Sequence, residues 1–381
     1  MSNNYRFQLD ELKYVYFLKS IKGLGEIKIK KLISRCRNFE QLKDFLNEKF
    51  PIIQLLGPVL AGKLEKSLSN TAAFEREFDL LKKKLESSGI KFTTIISKNY
   101  PENLKQIPDP PVILYYKGKL TREDKYSVGV VGTRAPTQYG QLVCENLTEG
   151  LSKSSVPVIS GMAIGVDSIA HSVALRNSNI TYAVLGSGVD VVYPYENSKL
   201  YKAIIEHGAV ISEYEPGVQP DKTNFPARNR IISGISIGVL IIESGLKGGS
   251  LITANFALDQ NKEVFAVPGN ITSNASKGTN ELIKRGMAKP VTEVSDIFEE
   301  LEAKLKPILK KEIFENQVKV IKTLNEKENK LFSVINDEPL NIDQISEVSG
   351  FNITDCLVNL LSLEFKGVVK QLPGKNFIRS C

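Results

Sequence analysis

The sequence is poor in the residues that metal sites, disulfide frameworks and catalytic dyads require. Its 381 residues include two histidines and no tryptophan, and the four cysteines are far apart at Cys36, Cys144, Cys356 and Cys381. No Cys-x-x-Cys pair or Cys/His cluster occurs, which predicts neither a bound metal nor a disulfide framework. No apolar run approaches the ~20 residues of a membrane span, and the first 18 residues have no signal-peptide core. We therefore expect a cytoplasmic protein without membrane contact.

Charge is spread unevenly over a composition that is typical of globular proteins, with 42% hydrophobic and 24% charged residues. Residues 1–90 contain 17 basic and 11 acidic side chains, and residues 91–300 contain 21 of each. Residues 301–325 contain 6 basic and 3 acidic side chains, against 6 and 8 in residues 326–381. A basic excess is typical of nucleic-acid partners. In the neutral central part, any anion binding must be local.

Residues 1–90 have the helical spacing of a small all-helical domain. Ile21–Ile33 places a Gly-x-Gly turn before a run of lysines, as in a helix-hairpin-helix, where turn amides hold a phosphate without reading sequence. Residues 55–62 form a candidate second copy. A helical domain with glycine caps and solvated lysines fits the same pattern, so both interpretations stay open.

Residues 91–300 alternate between apolar strand candidates and helix candidates, which predicts an α/β, doubly wound sheet. Strands are expected at 112–116, 127–131, 156–160, 181–186, 209–212, 237–242 and 263–267, and the first strand begins at Lys91. Ligands of such sheets bind at the carboxyl ends of the strands. Residues 301–325 are lysine-rich and are expected to form a helical or linker-like connection. Residues 326–381 have the pattern of a winged helix with a hairpin at Pro373-Gly374. Its acidic balance favours a protein-contact or regulatory module over a DNA-binding one.

Three predicted strands end in small residues, which suggests a phosphate pocket at the edge of the sheet. The turns are Gly132-Thr133-Arg134, Ser160-Gly161 and Gly186-Ser187-Gly188. Arg134 is suited to gripping phosphate with its forked donors, although it is also placed to pair with a carboxylate such as Asp167. Because neither Gly-x-Gly-x-x-Gly nor a P-loop lysine occurs, NAD and ATP lack their usual markers and no cofactor is expected.

Further candidate ligand residues follow later strands or open helices. Phe225 is placed to stack on a base or to pack internally. Glycine-rich helix starts with adjacent lysines occur at two more strand ends. The candidates from these segments are Phe225, Arg228, Asn229, Arg230, Lys247, Gly249, Ser250, Lys277, Gly278 and Asn280.

Asp167 and His171 are one helical turn apart. The pair is consistent with acid/base chemistry. The residues favour an aspartate at a helix N-terminus and a packing histidine, since no nucleophile or metal ligand accompanies the pair.

Taken in order, the motifs resemble the DNA-processing protein A (DprA/Smf) family of bacterial recombination mediators over about residues 95 to 290. The resemblance rests on Gly132–Arg134, Ser160–Asp167 with His171, Gly186–Gly188 with Tyr193-Pro194, Phe225–Ile231, Gly249–Ala254, Val267–Gly269 and Gly278–Ile283. Val166 stands where isoleucine is common in the family and Thr133 where serine is common, and neither change removes a needed donor.

The resemblance implies an extended Rossmann-like fold, with the helical N-terminal domain (SAM-like or helix-hairpin-helix-like) and the winged helix on either side. It implies a homodimer that binds and protects single-stranded DNA and loads the RecA recombinase during natural transformation. Arg134 is then the main phosphate-gripping residue, and Phe225, Arg228, Asn229, Arg230 and Lys277 are expected in the same groove.

Two other functions are compatible with the residues alone. The first is a nucleotide or nucleoside hydrolase with the same Rossmann-like pocket, related to lysine-decarboxylase-like proteins, for which Glu243 and Asp167 are the plausible catalytic carboxylates. The second is a nucleotide-sensing adaptor that signals through the winged helix, and the missing Gly-x-Gly-x-x-Gly disfavours it. A non-catalytic single-strand binder agrees best with basic and small residues spread over several strand ends, because that spread suits a polymer.

Overall fold

The computed structural model of the protein describes residues 3–48, 50–321, 324–336, 339–366, 368–372 and 374–379. The chain divides into two compact units, residues 1–305 and 306–381. Pro373, predicted at the tip of the wing, lies outside the described residues. No helix in the described ranges is both long and apolar enough to cross a membrane. The domain boundaries expected from the sequence stay predictions.

The first unit begins with six helices that surround an aromatic cluster. Phe17 packs edge-on against Phe74 at 5.1 Å between ring centroids, and Tyr14 packs against Phe39 at 5.3 Å. Both glycine turns foreseen from the sequence join consecutive helices, through Gly23 and Gly57, which have positive φ angles. The helices are α1 (Asn3–Ser20), α2 (Glu26–Ile33), α3 (Phe39–Asn47), α4 (Phe50–Leu56), α5 (Pro58–Ser69) and α6 (Ala72–Ser87).

A mostly parallel sheet follows, and within the described residues it has nine strands in the order β1-β2-β6-β5-β4-β3-β7-β8-β9. The first two strands pair antiparallel, and every pairing from β6 to β9 is parallel. The strands are β1 (Lys91–Thr94), β2 (Ile113–Gly118), β3 (Val128–Val131), β4 (Val158–Ser160), β5 (Thr181–Val184), β6 (Ala209–Ser212), β7 (Gly238–Ile241), β8 (Glu263–Ala266) and β9 (Lys289–Pro290).

The strand order reverses at β3, because the chain fills the sheet from β3 to β6 in one direction and then returns to place β7 on the other side of β3. The crevice at the carboxyl ends of these two strands is where doubly wound sheets bind ligands. The predicted α/β, Rossmann-like fold is confirmed. The remaining helices of this region are α7 (Glu102–Gln106), α8 (Gln138–Lys153), α9 (Val166–Arg176), α10 (Ser198–His207), α11 (Asn224–Ile235), α12 (Gly249–Asp259), α13 (Lys277–Lys284) and α14 (Val294–Ile321). Residues 301–325, expected to be helical or linker-like, are helical as far as Ile321.

The second unit contains the predicted winged helix. Asparagine N-caps start each of its three helices, at Asn325, Asn341 and Asn352. A small antiparallel sheet in the order β10-β12-β11 covers one side, and Leu331, Leu360 and Phe377 are buried in its core. The elements are α15 (Glu326–Val334), β10 (Leu340–Asn341), α16 (Ile342–Ser349), α17 (Ile353–Phe365), β11 (Val369–Leu372) and β12 (Asn376–Arg379).

Candidate nucleic-acid interface

The turns after β3, β4 and β5 converge on one cavity at the carboxyl-end edge of the sheet. Their adjacency follows from the parallel pairing of β3 with β4 and of β4 with β5. The start of α11 closes the cavity from the side. We call it the Arg134 pocket, and it is lined by Arg134, Gly161, Ala163, Ile164, Tyr193, Pro194, Phe225 and Arg228.

Arg134 presents its guanidinium group to solvent at the mouth of this pocket. The group lies over the ring of Phe225, 6.0 Å from its centroid, a cation–π arrangement. It forms no ion pair with the carboxylates of the described ranges, and Asp167, the partner suggested by the sequence, contacts other groups. The charge of Arg134 is therefore available to a ligand.

The loop that carries Arg134 is held from two sides. The Thr133 amide donates to the carbonyl of Glu243 at 2.9 Å. At Gly165, where φ is +85°, a Cβ atom would lie 2.5 Å from the carbonyl oxygen of Thr133. Only glycine therefore lets α9 begin this close to the loop. The position of Arg134 is fixed by the backbone, which reduces the cost of ordering it on binding.

Glu243, one of the two carboxylates considered for catalysis, is buried and holds the same loop. Its carboxylate accepts the amide of Thr137 at 2.9 Å and the hydroxyl of Thr137 at 2.6 Å. These bonds fix the start of α8 next to the loop. Both carboxylate oxygens are thus engaged by the protein itself.

Phe225 and Tyr193 form an aromatic pair beneath Arg134. Their ring centroids are 5.5 Å apart and the rings are tilted by 32°. Phe225 sits directly on Gly186, where a Cβ atom would lie 2.8 Å from its ring. The first glycine of Gly186-Ser187-Gly188 thus provides space for an aromatic side chain. Aromatic faces next to a phosphate-binding cation are the usual platform for unstacked bases.

Arg228 and Asp167 lie behind the pocket and brace its turns. Arg228 is 5% exposed and donates to the carbonyl of Gly161 at 2.9 Å and to that of Val184. Asp167 accepts the amides of Gly161 at 3.2 Å and Ala163 at 3.3 Å. Burial lowers the pKa of Arg228 to about 10, and burial raises the pKa of Asp167 although Arg228 opposes the rise. Arg228 therefore stays charged at neutral pH and holds two strand ends together.

The serines of the predicted pocket also serve the backbone. The Ser160 hydroxyl donates to the carbonyl of Val130 at 2.6 Å, and the Ser187 hydroxyl donates to that of Val191 at 3.0 Å. Both side chains are buried. Ser160 and Ser187 thus hold the turns at the strand ends, where Gly132 and Gly188 also lie, and so shape the pocket.

Arg230 lies elsewhere, although the sequence groups it with Arg228 in one groove. Its guanidinium group is bidentate to Glu213, at 2.6 and 2.7 Å, and also donates to Asp109 at 3.0 Å. Burial acts to lower the pKa of Arg230, but the Glu213 carboxylate outweighs it and the pKa is raised. Residues two apart on a helix face different directions, and the structure does not bring Arg230 to the Arg134 pocket.

Lys247 and Lys277 are exposed on two further loops of the same sheet edge. These segments meet where the Gly278 amide donates to the carbonyl of Ser244 at 2.7 Å. The Ser250 hydroxyl donates to the hydroxyl of Ser244 at 2.9 Å. Asn280 exchanges two hydrogen bonds with the backbone of Gly269, at 2.9 and 3.1 Å. The described contacts thus place the lysines on adjoining, braced loops.

Asn229 links these loops to the Arg134 pocket. It accepts from Arg228 at 3.1 Å, and its amide group lies 3.4 Å from the carbonyl of Gly249 as a donor. The expected ligand residues therefore form two neighbouring groups along one edge, one around Arg134 and one around Lys247 and Lys277.

His171 does not pair with Asp167. It is fully buried, and its Nδ1 atom is 2.7 Å from the hydroxyl of Thr181. Burial lowers its pKa to about 3, so the ring is neutral at physiological pH. The packing interpretation of His171 fits this environment, and the acid/base pair is not assembled.

Sequence reasoning missed several residues of the pocket. Tyr193 and Ile164, which line it, are 44% and 46% exposed. Large exposed apolar side chains around a cation mark a binding surface. The Tyr193-Pro194 dipeptide, five residues after Gly188, was the available indication. No local sequence pattern indicated the hydrogen bonds between Thr137 and Glu243, since these residues are 106 positions apart.

Family models match both units of the chain. The model described as DNA recombination-mediator protein A matches residues 91–302, and the model described as DprA winged helix domain matches residues 319–375. The first covers more than half of the chain and includes every element of the candidate interface.

Individual relatives agree with these matches. Protein Smf of Synechocystis is 31% identical over 97% of this chain and 99% of its own length. DNA processing protein DprA of Streptococcus pneumoniae is 42% identical over 61% of this chain and 83% of its own length.

Two solved structures are similar to the protein. The X-ray structure of DprA from Streptococcus pneumoniae superposes with a TM-score of 0.56 at 34% identity, covering 79% of this chain and 98% of that chain. A DprA structure from Helicobacter pylori, reported for its single-stranded DNA binding mode, gives a TM-score of 0.51 at 33% identity and covers 56% of this chain and 97% of that chain. The chain belongs to the DNA recombination-mediator protein A (DprA/Smf) family of DNA-processing proteins.

Proposed function

We propose that this protein binds single-stranded DNA, with the backbone gripped by Arg134 and a base placed on Phe225 and Tyr193. The observation that carries the proposal is an exposed arginine, with no ion-pair partner among the residues that the structure describes, directly above an aromatic pair. A phosphodiester next to an unstacked base presents the matching groups, a negative charge and an apolar face. The Helicobacter pylori DprA structure, described for its single-stranded DNA binding mode, supports the same ligand.

The ligand groups favour a polymer over a compact cofactor. Arg134 and Lys247 lie on loops after β3 and β7, and Lys277 begins α13 after β8, so the three follow different strands at one sheet edge. A strand of DNA can contact all three side chains, whereas a mononucleotide is large enough to contact only one of them. Exposed lysines are also typical of backbone contacts that do not read sequence.

We propose a non-catalytic role. The two carboxylates closest to the expected chemistry, Glu243 and Asp167, accept hydrogen bonds from the loops they stabilise. A general base needs a free oxygen directed at the substrate. The competing hydrolase predicts turnover, so incubation with a panel of nucleotides should leave them intact, and turnover that is lost in Glu243→Gln would favour the hydrolase.

We further propose that the protein acts in the cytoplasm as a homodimer and delivers its bound strand to the RecA recombinase during natural transformation. Membership of the recombination-mediator family supports this role. The test is RecA filament nucleation on single-stranded DNA with and without the protein, together with sedimentation to measure mass. A monomer at working concentration, or no change in nucleation, would contradict these parts of the proposal.

The central experiment compares the binding of labelled single-stranded and double-stranded oligonucleotides of equal length and sequence. We expect strong preference for the single strand, because a duplex keeps its bases stacked and inaccessible to Phe225. Equal affinity for the two would contradict base stacking and indicate purely electrostatic binding.

A further inference from the structure

A second cavity opens beside the Arg134 pocket, on the other side of the loop that follows β3. It forms where the start of α8 meets the segments that follow β7 and β8. These two strands continue the parallel sheet beyond β3, so all three segments lie at the carboxyl-end edge. We call the cavity the Pro268 pocket, and its lining includes Thr137, Tyr139, Glu243, Pro268, Asn270 and Ser276.

A short, braced stretch of chain joins the two pockets. Arg134 lines the first pocket and Thr137 lines the second. The Cα atoms of these two residues are at most about 11 Å apart, because three residues of chain span no more. The hydrogen bonds between Thr137 and Glu243 hold this stretch against the segment after β7. A DNA strand that crosses Arg134 from Phe225 towards β7 therefore meets the Pro268 pocket next.

The Pro268 pocket presents an aromatic ring in a fixed position. The Tyr139 hydroxyl donates to the carbonyl of Pro268 at 2.7 Å, which ties the start of α8 to the segment after β8. Tyr139 is nevertheless 47% exposed, and Ile271, beside Asn270 of the lining, is 84% exposed. Large exposed apolar side chains around a cavity mark a binding surface. A ring that is already held in place also loses little freedom when a ligand stacks on it.

The charges around the Pro268 pocket favour a base inside it and phosphates outside it. The carboxylate of Glu243 belongs to the lining, so a phosphate within the cavity would meet a like charge. A base is neutral and has a face that stacks on aromatic rings. Positive charge lies on either side, at Arg134 after β3 and at the exposed Lys277, which follows Ser276 of the lining. The order of cation, aromatic ring and cation matches the order of phosphate, base and phosphate in a single strand.

We infer that the Pro268 pocket holds a second base of the bound strand, stacked on Tyr139, while Arg134 and Lys277 contact the phosphates on its two sides. This inference rests on the proposed function and adds a subsite to it. The strand then runs along the edge of the sheet from Phe225 over Arg134 to Tyr139 and on to Lys277.

The test separates the loss of a ring from the loss of a charge. Tyr139→Ala removes the stacking face, and Tyr139→Phe keeps the ring but not the hydrogen bond to Pro268. Phe50→Ala is the matched control, since Phe50 is an exposed aromatic residue of α4 and lines neither pocket. Affinity for a labelled single-stranded oligonucleotide is measured over a salt series for these variants, Arg134→Ala and the wild type. Thermal unfolding confirms that all the proteins are folded.

We expect Tyr139→Ala to bind the single strand about tenfold more weakly, a loss typical of one stacked base. Its salt slope should equal that of the wild type, because no phosphate contact is lost. Tyr139→Phe and Phe50→Ala should bind as the wild type does. Wild-type affinity of Tyr139→Ala, a reduced salt slope in that variant, or an equal loss in Tyr139→Phe would overturn the inference.

Arg134→Ala separates this inference from the proposed function. Weakened binding by Arg134→Ala together with normal binding by Tyr139→Ala would remove only the second base. Normal binding by Arg134→Ala would mean that the proposed function itself is wrong.

Discussion

Arg134 and Arg230 carry the same charged group in opposite surroundings. The guanidinium of Arg134 is exposed over an aromatic ring with no described carboxylate paired to it. That of Arg230 is buried between Glu213 and Asp109. Both arginines belong to motifs that the sequence assigns to phosphate binding. The difference teaches that an arginine serves a ligand only where the fold has not already neutralised it.

Arg228 stands between these two cases. It is buried like Arg230, yet it lines the Arg134 pocket and donates to backbone carbonyls rather than to a bidentate carboxylate. Its charge contributes to the potential of the pocket while its hydrogen bonds hold two strand ends. The three arginines thus divide into one whose charge is exposed and which we propose contacts the ligand, one that shapes the pocket and one that stabilises the fold.

The largest effect is expected for Arg230→Ala, on stability. Removing the arginine leaves Glu213 buried without its partner, which costs about 3 kcal/mol of unfolding free energy, as for other broken buried pairs. Denaturant unfolding measures the loss, and Arg230→Lys serves as a control that keeps the charge but not the bidentate geometry. DNA affinity of the folded protein should be unchanged. A loss of DNA affinity with normal stability would place Arg230 in the binding site, and Arg230 and Arg134 would then have the same role.

Arg134→Ala is expected to have the converse effect. Losing a charge-assisted contact weakens single-strand binding by about 2 kcal/mol, or about 30-fold, and leaves stability within about 0.5 kcal/mol. Arg122→Ala is the matched control, since Arg122 is also exposed but precedes β3 on the opposite edge of the sheet. Fluorescence anisotropy and thermal unfolding on all three proteins give both quantities. Equal single-strand affinities of the two variants would contradict a specific pocket at Arg134.

His171 provides a test of a buried group that we expect to affect stability and not DNA binding. Because burial lowers its pKa to about 3, the unfolded chain binds a proton below about pH 6.5 that the folded chain does not. Stability is therefore lost as the pH falls, by about 1.4 kcal/mol between pH 7.5 and 5.5 for this group. His171→Asn, which can keep the bond to Thr181, should flatten this part of the pH profile and leave DNA binding unchanged. An unchanged slope would show that His171 does not titrate as its burial requires.

The smallest effect is expected at Gly186. A methyl group there lies 2.8 Å from the Phe225 ring, so Gly186→Ala should shift Phe225 from Tyr193 and weaken single-strand binding about fivefold, or about 1 kcal/mol. Gly62→Ala is the control, because no atom lies within 4 Å of its added Cβ. Normal affinity in Gly186→Ala would mean that the aromatic pair does not stack on a base.

The strands and the small-residue turns were predictable from the sequence because their determinants are local. The strand expected at 237–242 is observed at Gly238–Ile241, and the strand expected at 127–131 is observed at Val128–Val131. Buried β-branched runs and N-caps act within a few residues. The common location of the turns at Gly132, Gly161 and Gly186 was predictable as well, since parallel strands bring their carboxyl ends to one edge.

The role of each charged side chain was not predictable in the same way. Arg230 meets Asp109, which is 121 positions away, and Glu243 meets Thr137 across 106 positions. Such partners are set by tertiary packing. From spacing alone, Arg228, Arg230 and Arg134 were equivalent donors. Burial and partner identity, which only the folded chain provides, separate the arginine at the pocket mouth from the two that the protein itself engages.

The most direct test is the salt dependence of single-strand binding by the wild type, Arg134→Ala and Arg122→Ala. If Arg134 neutralises one phosphate, the slope of log affinity against log salt concentration should fall by about 0.7 in Arg134→Ala and stay at the wild-type value in Arg122→Ala. Identical slopes in all three proteins would contradict the account, because the exposed arginine would then contact no phosphate.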